Sequence, residues 1–203
     1  GRATVAYSSV LLFNILDVSN FEPTGIDAPK QNEPSELQDL RYTLENLKPG
    51  NEQEAFNDAH YYRNEVRELF RRGHIDLRSR ATADNLFLAI IHQISGMIDD
   101  MEQVPTELEG LKLSMADIYY GNFSLFQSLP DIWAIDQLFP IMPIHRLDEE
   151  PTRQAVLADI TCDCDGKIDR FINPHQGYDK TLSLHRVRED EEYYLGVFLV
   201  GAY

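Results

Sequence analysis

The sequence is poor in basic residues and in cysteine. It has 18 lysines and arginines against 34 acidic residues, a formal net charge of -16. Nucleic-acid backbones and anionic membrane surfaces would repel such a chain, which argues against both as partners. The two cysteines, Cys162 and Cys164, are too few and too close in sequence for a disulfide framework. This composition favours a reducing, cytoplasmic compartment.

Long apolar runs and a signal-peptide layout are also missing. No run approaches the ~18 apolar residues that a membrane-spanning helix needs. The first residue is Gly1 rather than methionine, and Gly1 and Arg2 do not begin a signal peptide. We therefore expect a piece of a longer chain. The 203 residues are 43% hydrophobic, enough for a sizeable core in one domain that carries an insertion.

The patterns of apolar residues change twice along the chain. Residues 3–21 form an almost unbroken apolar stretch that predicts a strand buried on both faces for part of its length. Apolar residues then recur at spacings of three and four, which predicts helices over 36–47, 52–72 and 77–101. Ser35 is the predicted N-cap of the first helix. After residue 118 the pattern of strands returns.

The first strand has no neighbour at its own end of the chain. It can complete its backbone hydrogen bonds only by pairing with strands after residue 118. We therefore predict an α+β chain in which a β-barrel or sandwich domain, residues 1–22 and 117–203, is interrupted by residues 23–116, a linker and a helical bundle. Residues 118–126 are predicted to be a strand, and 133–140 an apolar loop with one buried acid, Asp136.

Both cysteines lie in the Asp-rich stretch 158–170, a predicted strand that ends in a polar turn. Calcium binding is excluded, because that loop would need an acid at Thr161 and a glutamate at Ile172. A zinc site would need a second Cys or His pair. Two interpretations remain open: a small buried cysteine in a surface turn, or a reactive Cys162. Neighbouring carboxylates would keep its thiol protonated, which suits a proton donor better than a nucleophile.

Several stretches together resemble one family, the biosynthetic arginine decarboxylases: residues 1–3, 122–140, 159–169 and 194–203. The helical insertion is similar in layout. The resemblance implies a pyridoxal phosphate enzyme of the alanine racemase and ornithine decarboxylase fold group. It further implies that a (β/α) barrel carrying the Schiff-base lysine lies before Gly1, and that this chain is the β domain with its inserted bundle.

The resemblance also implies the roles of individual residues. Gly1 and Arg2 match the end of a motif that binds the cofactor phosphate, and Tyr203 matches a tyrosine whose hydroxyl contacts it. Cys162 matches the cysteine that protonates the substrate carbanion. Asp163 matches the acid that binds the distal cation of the substrate, and both act across a homodimer interface.

Asp136 is a further candidate for contact with the substrate guanidinium. Two departures stand out. Cys164 occupies a position where the family usually has serine, and residues 7–9 replace what is often a His pair.

The implied reaction converts L-arginine into agmatine and CO2 in polyamine and spermidine biosynthesis. Magnesium is associated with the family, but no magnesium site can be recognised in this sequence. Two alternatives stay open at this point. The chain could belong to a related decarboxylase of ornithine, lysine or diaminopimelate, or it could be a non-catalytic assembly or regulatory module.

Overall fold

The computed structural model describes residues 9–98, 101, 104–108, 110–161, 166–175 and 177–200. Their contacts divide the chain into two compact units. The first, the β unit, takes residues 9–20 and the described residues from 116 to 200. The second, the helical unit, takes the described residues from 21 to 115. The predicted α+β class, with helices inserted into a β domain, is confirmed.

The β unit is built from one main sheet and one hairpin. Its described strands are β1 Ser9–Ser19, β2 Asp117–Gly121, β3 Ile141–Pro143, β4 Arg153–Asp159, β5 Lys167–Ile168, β6 Phe171–Asn173, β7 Gly177–Asp179, β8 Leu182–Leu184 and β9 Tyr193–Val200. The main sheet has the order β3-β9-β1-β2-β4-β5, β8 pairs with β4, and β6 pairs with β7. As predicted, β1 pairs with later strands, antiparallel to β2 and β9, whereas β2 and β4 run parallel.

Strand β1 buries one of its two faces. Phe13 and Ile15 are 2% and 5% exposed and lie in the core of the β unit. Val10, Leu12 and Leu16 are about half exposed. Successive side chains of a strand point to opposite faces, so the prediction of burial on both faces is wrong in this structure. Apolar composition alone does not show which face of a strand is buried.

Strand β9 contains a bulge at Leu199. Ser9 pairs with Val200, whereas Val10 pairs with Phe198, so Leu199 has no partner on β1. Its φ of 64° lies in the left-handed region, which is a feature of bulges when an extra residue must be accommodated. Leu199 is therefore exposed, whereas Leu195 and Val197 of the same strand are buried.

The helical unit contains α1 Ser35–Glu45, α2 Glu52–Arg71, α3 Leu77–Ile98, a 3-10 turn Thr106–Leu108 and α4 Leu111–Ser114. Its core collects the apolar residues spaced by three and four, including Leu37, Leu40, Ala59, Val66, Leu86, Ile90 and Ile94. The three long helices thus confirm the predicted bundle. Within the described residues, no helix is both long and apolar enough to cross a membrane.

The caps of the helices are only partly as predicted. Pro34 is the N-cap of α1, and Ser35 is already helical. The Ser35 hydroxyl donates to the Glu36 carboxylate instead of accepting from the backbone, so the predicted Ser35 cap is wrong. Gly73 follows α2 with φ 74°, and its N–H donates to the Phe70 carbonyl, as expected for a helix that ends at a left-handed glycine.

Residues 122–135 form short helices where the sequence predicts strand and loop. β2 ends at Gly121, and α5 Leu125–Ser128 and α6 Pro130–Ile135 follow. Ser124 caps α5, because its hydroxyl accepts from the Gln127 N–H. A proline in the first turn of α6 is favourable, since that position needs no N–H donor. The predicted strand through residue 126 is therefore wrong.

Candidate active-site edge of the β unit

A cavity of about 190 Å³ lies in the β unit beside α6 and β5. Its lining comes mainly from α6 and the segment that follows it, and from β5 and the turn after it. Its lining combines aromatic and aliphatic side chains with four charged ones, Asp136, Lys167, Asp169 and Arg170. Small-molecule sites commonly combine an apolar wall with a few polar groups. This cavity is therefore the candidate site of the β unit.

Asp136 is presented by the end of α6. Its φ of 54° and ψ of 30° are left-handed, and its N–H donates to the Asp131 carbonyl. Aspartate tolerates this conformation better than most side chains. The prediction of a buried acid is wrong, since the Asp136 side chain is 76% exposed.

Asp136 already binds a guanidinium. The Arg170 Nη2 lies 2.5 Å from the Asp136 Oδ1, and this hydrogen bond raises the pKa of Arg170 above its ordinary value. Lys167 and Asp169 form a looser pair at 3.3 Å. The rim of the cavity therefore carries a carboxylate that accepts a planar cation, the arrangement that guanidinium groups favour.

Asp159, a residue without a predicted role, ties the end of β4 to its surroundings. Its side chain is 2% exposed, and its Oδ2 accepts from the Leu125 N–H at 2.8 Å. Its backbone N–H donates to the Gly166 carbonyl at 2.9 Å. A Cβ added to Gly166 would lie 2.1 Å from the Asp159 Oδ2. The only sequence signal for this contact is an acid that directly follows an apolar strand.

The remaining predicted site residues fall outside the part of the chain that the structure describes. These are Gly1, Arg2, Cys162, Asp163 and Tyr203. Asp159 and Gly166, whose backbones are hydrogen-bonded, stand on either side of the stretch that contains Cys162 and Asp163. Of the predicted site residues, the structure therefore places Asp136 beside the cavity.

A second buried network in the β unit serves the fold. Asp117, 1% exposed, accepts from Arg153 at 2.7 and 2.9 Å and joins the parallel strands β2 and β4. His185 contacts the Tyr193 hydroxyl through Nδ1 at 2.8 Å, and the Tyr119 hydroxyl donates to the His185 carbonyl at 3.0 Å. Burial raises the pKa of both tyrosines. These groups fasten strands of the β unit together.

The described residues provide no metal centre. None of their groups of histidine, cysteine, aspartate or glutamate has the three members that could hold an ion. Magnesium therefore stays an expectation that rests on the resemblance to the family.

Comparison with known proteins shows which proteins this chain is similar to. Residues 30–112 match the family model of the arginine decarboxylase helical bundle domain. The biosynthetic arginine decarboxylase of Gloeobacter violaceus is 48% identical over 203 residues, which cover all of this chain and 31% of the relative. That of Thermosynechococcus vestitus is 49% identical over all of this chain and 32% of the relative.

A crystal structure of the biosynthetic arginine decarboxylase from Campylobacter jejuni has the same architecture. It superposes with a TM-score of 0.75 at 35% identity, and the match covers 98% of this chain and 31% of that one. This chain thus spans about a third of the length of the relatives that it matches. The resemblance predicted from the sequence is confirmed: over its whole length, the chain is related to one segment of the biosynthetic arginine decarboxylases.

Proposed function

We propose that this chain is the β domain and inserted bundle of a pyridoxal phosphate-dependent arginine decarboxylase. The enzyme would convert L-arginine into agmatine and CO2 in polyamine biosynthesis. The observation that carries the proposal is the similarity over the full chain, 48% and 49% identity with two decarboxylases of that specificity. A carboxylate that holds a guanidinium at the rim of a cavity supports it independently.

Asp136 supports arginine as the substrate through the chemistry of its present partner. Arg170 offers it the same planar cation that ends the side chain of free arginine. The Arg170 side chain is 41% exposed, so it is free to turn into solvent when a substrate guanidinium takes its place. Asp163 would supply a second carboxylate. Together the two acids would select a planar guanidinium over a neutral side chain.

Cys162 is the proposed proton donor. The bond between Cα and the carboxyl carbon of arginine breaks, CO2 leaves and the electron pair stays on Cα. The thiol proton of Cys162 then passes to Cα, and solvent reprotonates the thiolate, so each turnover consumes one proton. A neutral thiol suits this task, because its reference pKa of about 8.5 keeps it protonated at pH 7. The hydrogen bond from Asp159 to Gly166 would fix the base of the stretch that carries it.

Pyridoxal phosphate, when bound, supplies the electron sink that makes the loss of CO2 possible. In this chain, Gly1, Arg2 and Tyr203 are the proposed phosphate ligands, since a guanidinium and a phenol hydroxyl both donate to phosphate oxygens. The pairing of Ser9 with Val200 supports this grouping. It places the outer described residues of β1 and β9 side by side, and the segments that carry the three ligands continue from them. The Schiff-base lysine would come from a (β/α) barrel in the longer protein, which we propose acts as a homodimer.

A substrate panel with the full-length protein tests this proposal. The protein is loaded with pyridoxal phosphate and offered arginine, ornithine, lysine and diaminopimelate, and both CO2 and the amine product are measured. We expect agmatine and CO2 from arginine, with kcat/KM at least ~100-fold above that for the others, because a site built to bind a guanidinium penalises its absence. Preference for another amino acid would assign a related decarboxylase. No CO2 from any of them would favour a non-catalytic module.

A further inference from the structure

The helical unit contains a second cavity, of about 350 Å³, that the proposed reaction does not use. Residues of α2 and α3 line it, together with Phe21 and the segment around α4. One wall is apolar, formed by Phe87, Leu88, Ile91 and Met115. The lining also carries the polar side chains of His60, Arg63, Arg67 and Asp84. The volume is typical of sites that accept small organic molecules.

Arg63 is the least satisfied of these polar groups. Its guanidinium carbon lies 3.7 Å from the centroid of the Phe87 ring. Its Nε is buried and has no hydrogen-bond partner within the described part of the chain. Among the described residues, its Nη2 makes one long contact of 3.5 Å, with His60 Nδ1. A buried donor without a partner is uncommon in native proteins and invites a ligand or a water molecule.

The one carboxylate in the lining is already engaged. Asp84 Oδ1 accepts from Arg67 Nε at 3.1 Å and from Arg67 Nη2 at 2.7 Å. Among the described residues, no carboxylate lies within ion-pair distance of Arg63. Burial lowers the pKa of Arg63, and the neighbouring charge of Arg67 lowers it further. The cavity therefore holds one more cation than anion.

His60 does not restore the balance. Burial lowers its pKa below 6.5, and the two arginines lower it further, so the imidazole is neutral at pH 7. Its ring packs edge-on against Phe56 and Phe87, with centroids 4.6 and 4.8 Å apart. This packing fixes the ring as part of the wall. Within the described lining of the cavity, the guanidinium of Arg63 is then the unmatched charge.

We propose that this cavity binds a small monocarboxylate with an apolar body. The carboxylate would pair with Arg63, whose fork matches its geometry, and the apolar body would cover Leu88, Ile91 and Met115. One unpaired cation calls for one negative charge, and an apolar wall gains nothing from a bare inorganic anion. An occupant of this class would satisfy the buried donor and remove the apolar wall from water together.

The test uses the full-length protein and 3-phenylpropionate, with binding measured by calorimetry. Three compounds separate the two parts of the proposed interaction. 3-Phenylpropanamide keeps the apolar body and removes the charge, whereas acetate keeps the charge and removes most of the body. We expect saturable binding of 3-phenylpropionate and at least ~10-fold weaker binding of the other two, since each loses one of the two contributions.

Protein variants locate the binding. Arg63→Gln should weaken 3-phenylpropionate at least ~10-fold. Arg72→Gln makes the same change of charge at an exposed position just after α2 and should bind like wild type. Ser114→Phe should weaken binding as well, because it adds bulk at a residue that lines the cavity and alters no charge. Melting curves show that each variant folds.

Two results would overturn the proposal. One is wild-type protein that shows no saturable binding of 3-phenylpropionate. The other is unchanged affinity in a folded Arg63→Gln or Ser114→Phe protein, which would place the bound acid elsewhere. Neither result bears on decarboxylation, which is measured separately, so this proposal and the proposed function can fail independently.

Discussion

Replacing Gly166 by alanine tests how the base of the Cys162 stretch is held. The added methyl carbon would lie 2.1, 2.3 and 2.5 Å from three atoms of the Asp159 carboxyl group. Contacts below about 3 Å are far inside van der Waals separation, so the carboxylate or the backbone must move. Asp159 has little room to do so, because it is 2% exposed and accepts from the Leu125 N–H.

Two contributions set the size of the effect. Overpacking a well-filled interior typically costs about 1–3 kcal/mol. Displacing Asp159 from the Leu125 N–H adds about 1.5–3 kcal/mol for a charge-assisted hydrogen bond. We therefore expect Gly166→Ala to lower the free energy of unfolding by about 2.5–6 kcal/mol. Decarboxylation should fall as well, since the stretch between the two residues carries the proposed proton donor.

A double-mutant cycle on the full-length protein isolates the cause. Urea denaturation is measured for Gly166→Ala, Asp159→Ala and the double variant. The alanine at 166 should cost little once the carboxylate is gone, which gives a coupling energy of at least ~1 kcal/mol. Gly96→Ala is the matched control. Gly96 is an exposed residue within α3, and nothing lies within 4 Å of a Cβ added there. Gly96→Ala should therefore stabilise the protein by about 0.5–1 kcal/mol. Equal costs of Gly166→Ala with and without Asp159 would refute the reasoning.

Three further predictions concern charged groups. Arg153→Met leaves the buried Asp117 carboxylate without its two hydrogen bonds, and denaturation should show a loss of about 3 kcal/mol; a loss below 1 kcal/mol would contradict this. Glu33→Gln breaks a buried ion pair with Arg41. In the wild type, the hydrogen bond from Arg41 lowers the pKa of Glu33 below its ordinary 4.5. Since the folded pKa is the lower one, the pair stabilises above pH 4.5 and loses its effect as the pH falls through the folded value. The variant should therefore be about 1 kcal/mol less stable at neutral pH and approach wild type in acid, as parallel denaturation series would show. Asp136→Asn should raise the KM for arginine at least ~10-fold with the melting temperature unchanged; an unchanged KM would remove its role.

Elements with a repeating pattern could be predicted from the sequence. Leu37 and Leu40, like Leu86 and Ile90, recur at helical spacing and become the core of the bundle. A strand isolated at one end of the chain had to find partners elsewhere, and β1 does so. Local rules were sufficient in these cases, because burial of one helical face or one ladder of hydrogen bonds decides the outcome.

Features that depend on a distant partner could not be predicted. The short helices α5 and α6 have too few residues to show a period. The position of the bulge, at Leu199, is set by the register of β9 against β1, and the exposure of Asp136 follows from how α6 ends. The contact between Asp159 and Gly166 joins residues whose types alone reveal no link.

The candidate site was predicted in a different way, through resemblance rather than pattern. Spacing alone left Cys162 undecided between a packed thiol and a proton donor, since both are compatible with a cysteine at a strand tip. Motifs shared with a family supplied its role. That role remains a proposal, because Cys162 lies outside the described residues.

The most direct measurement of the central claim compares two cysteine variants of the full-length enzyme. Cys162→Ala removes the proposed proton donor, and Cys164→Ala removes a thiol two residues away that has no proposed role. With bound cofactor confirmed in both, we predict that Cys162→Ala forms agmatine at least ~100-fold more slowly than wild type, whereas Cys164→Ala stays within about twofold of it. Agmatine formation at the wild-type rate by Cys162→Ala would contradict the account.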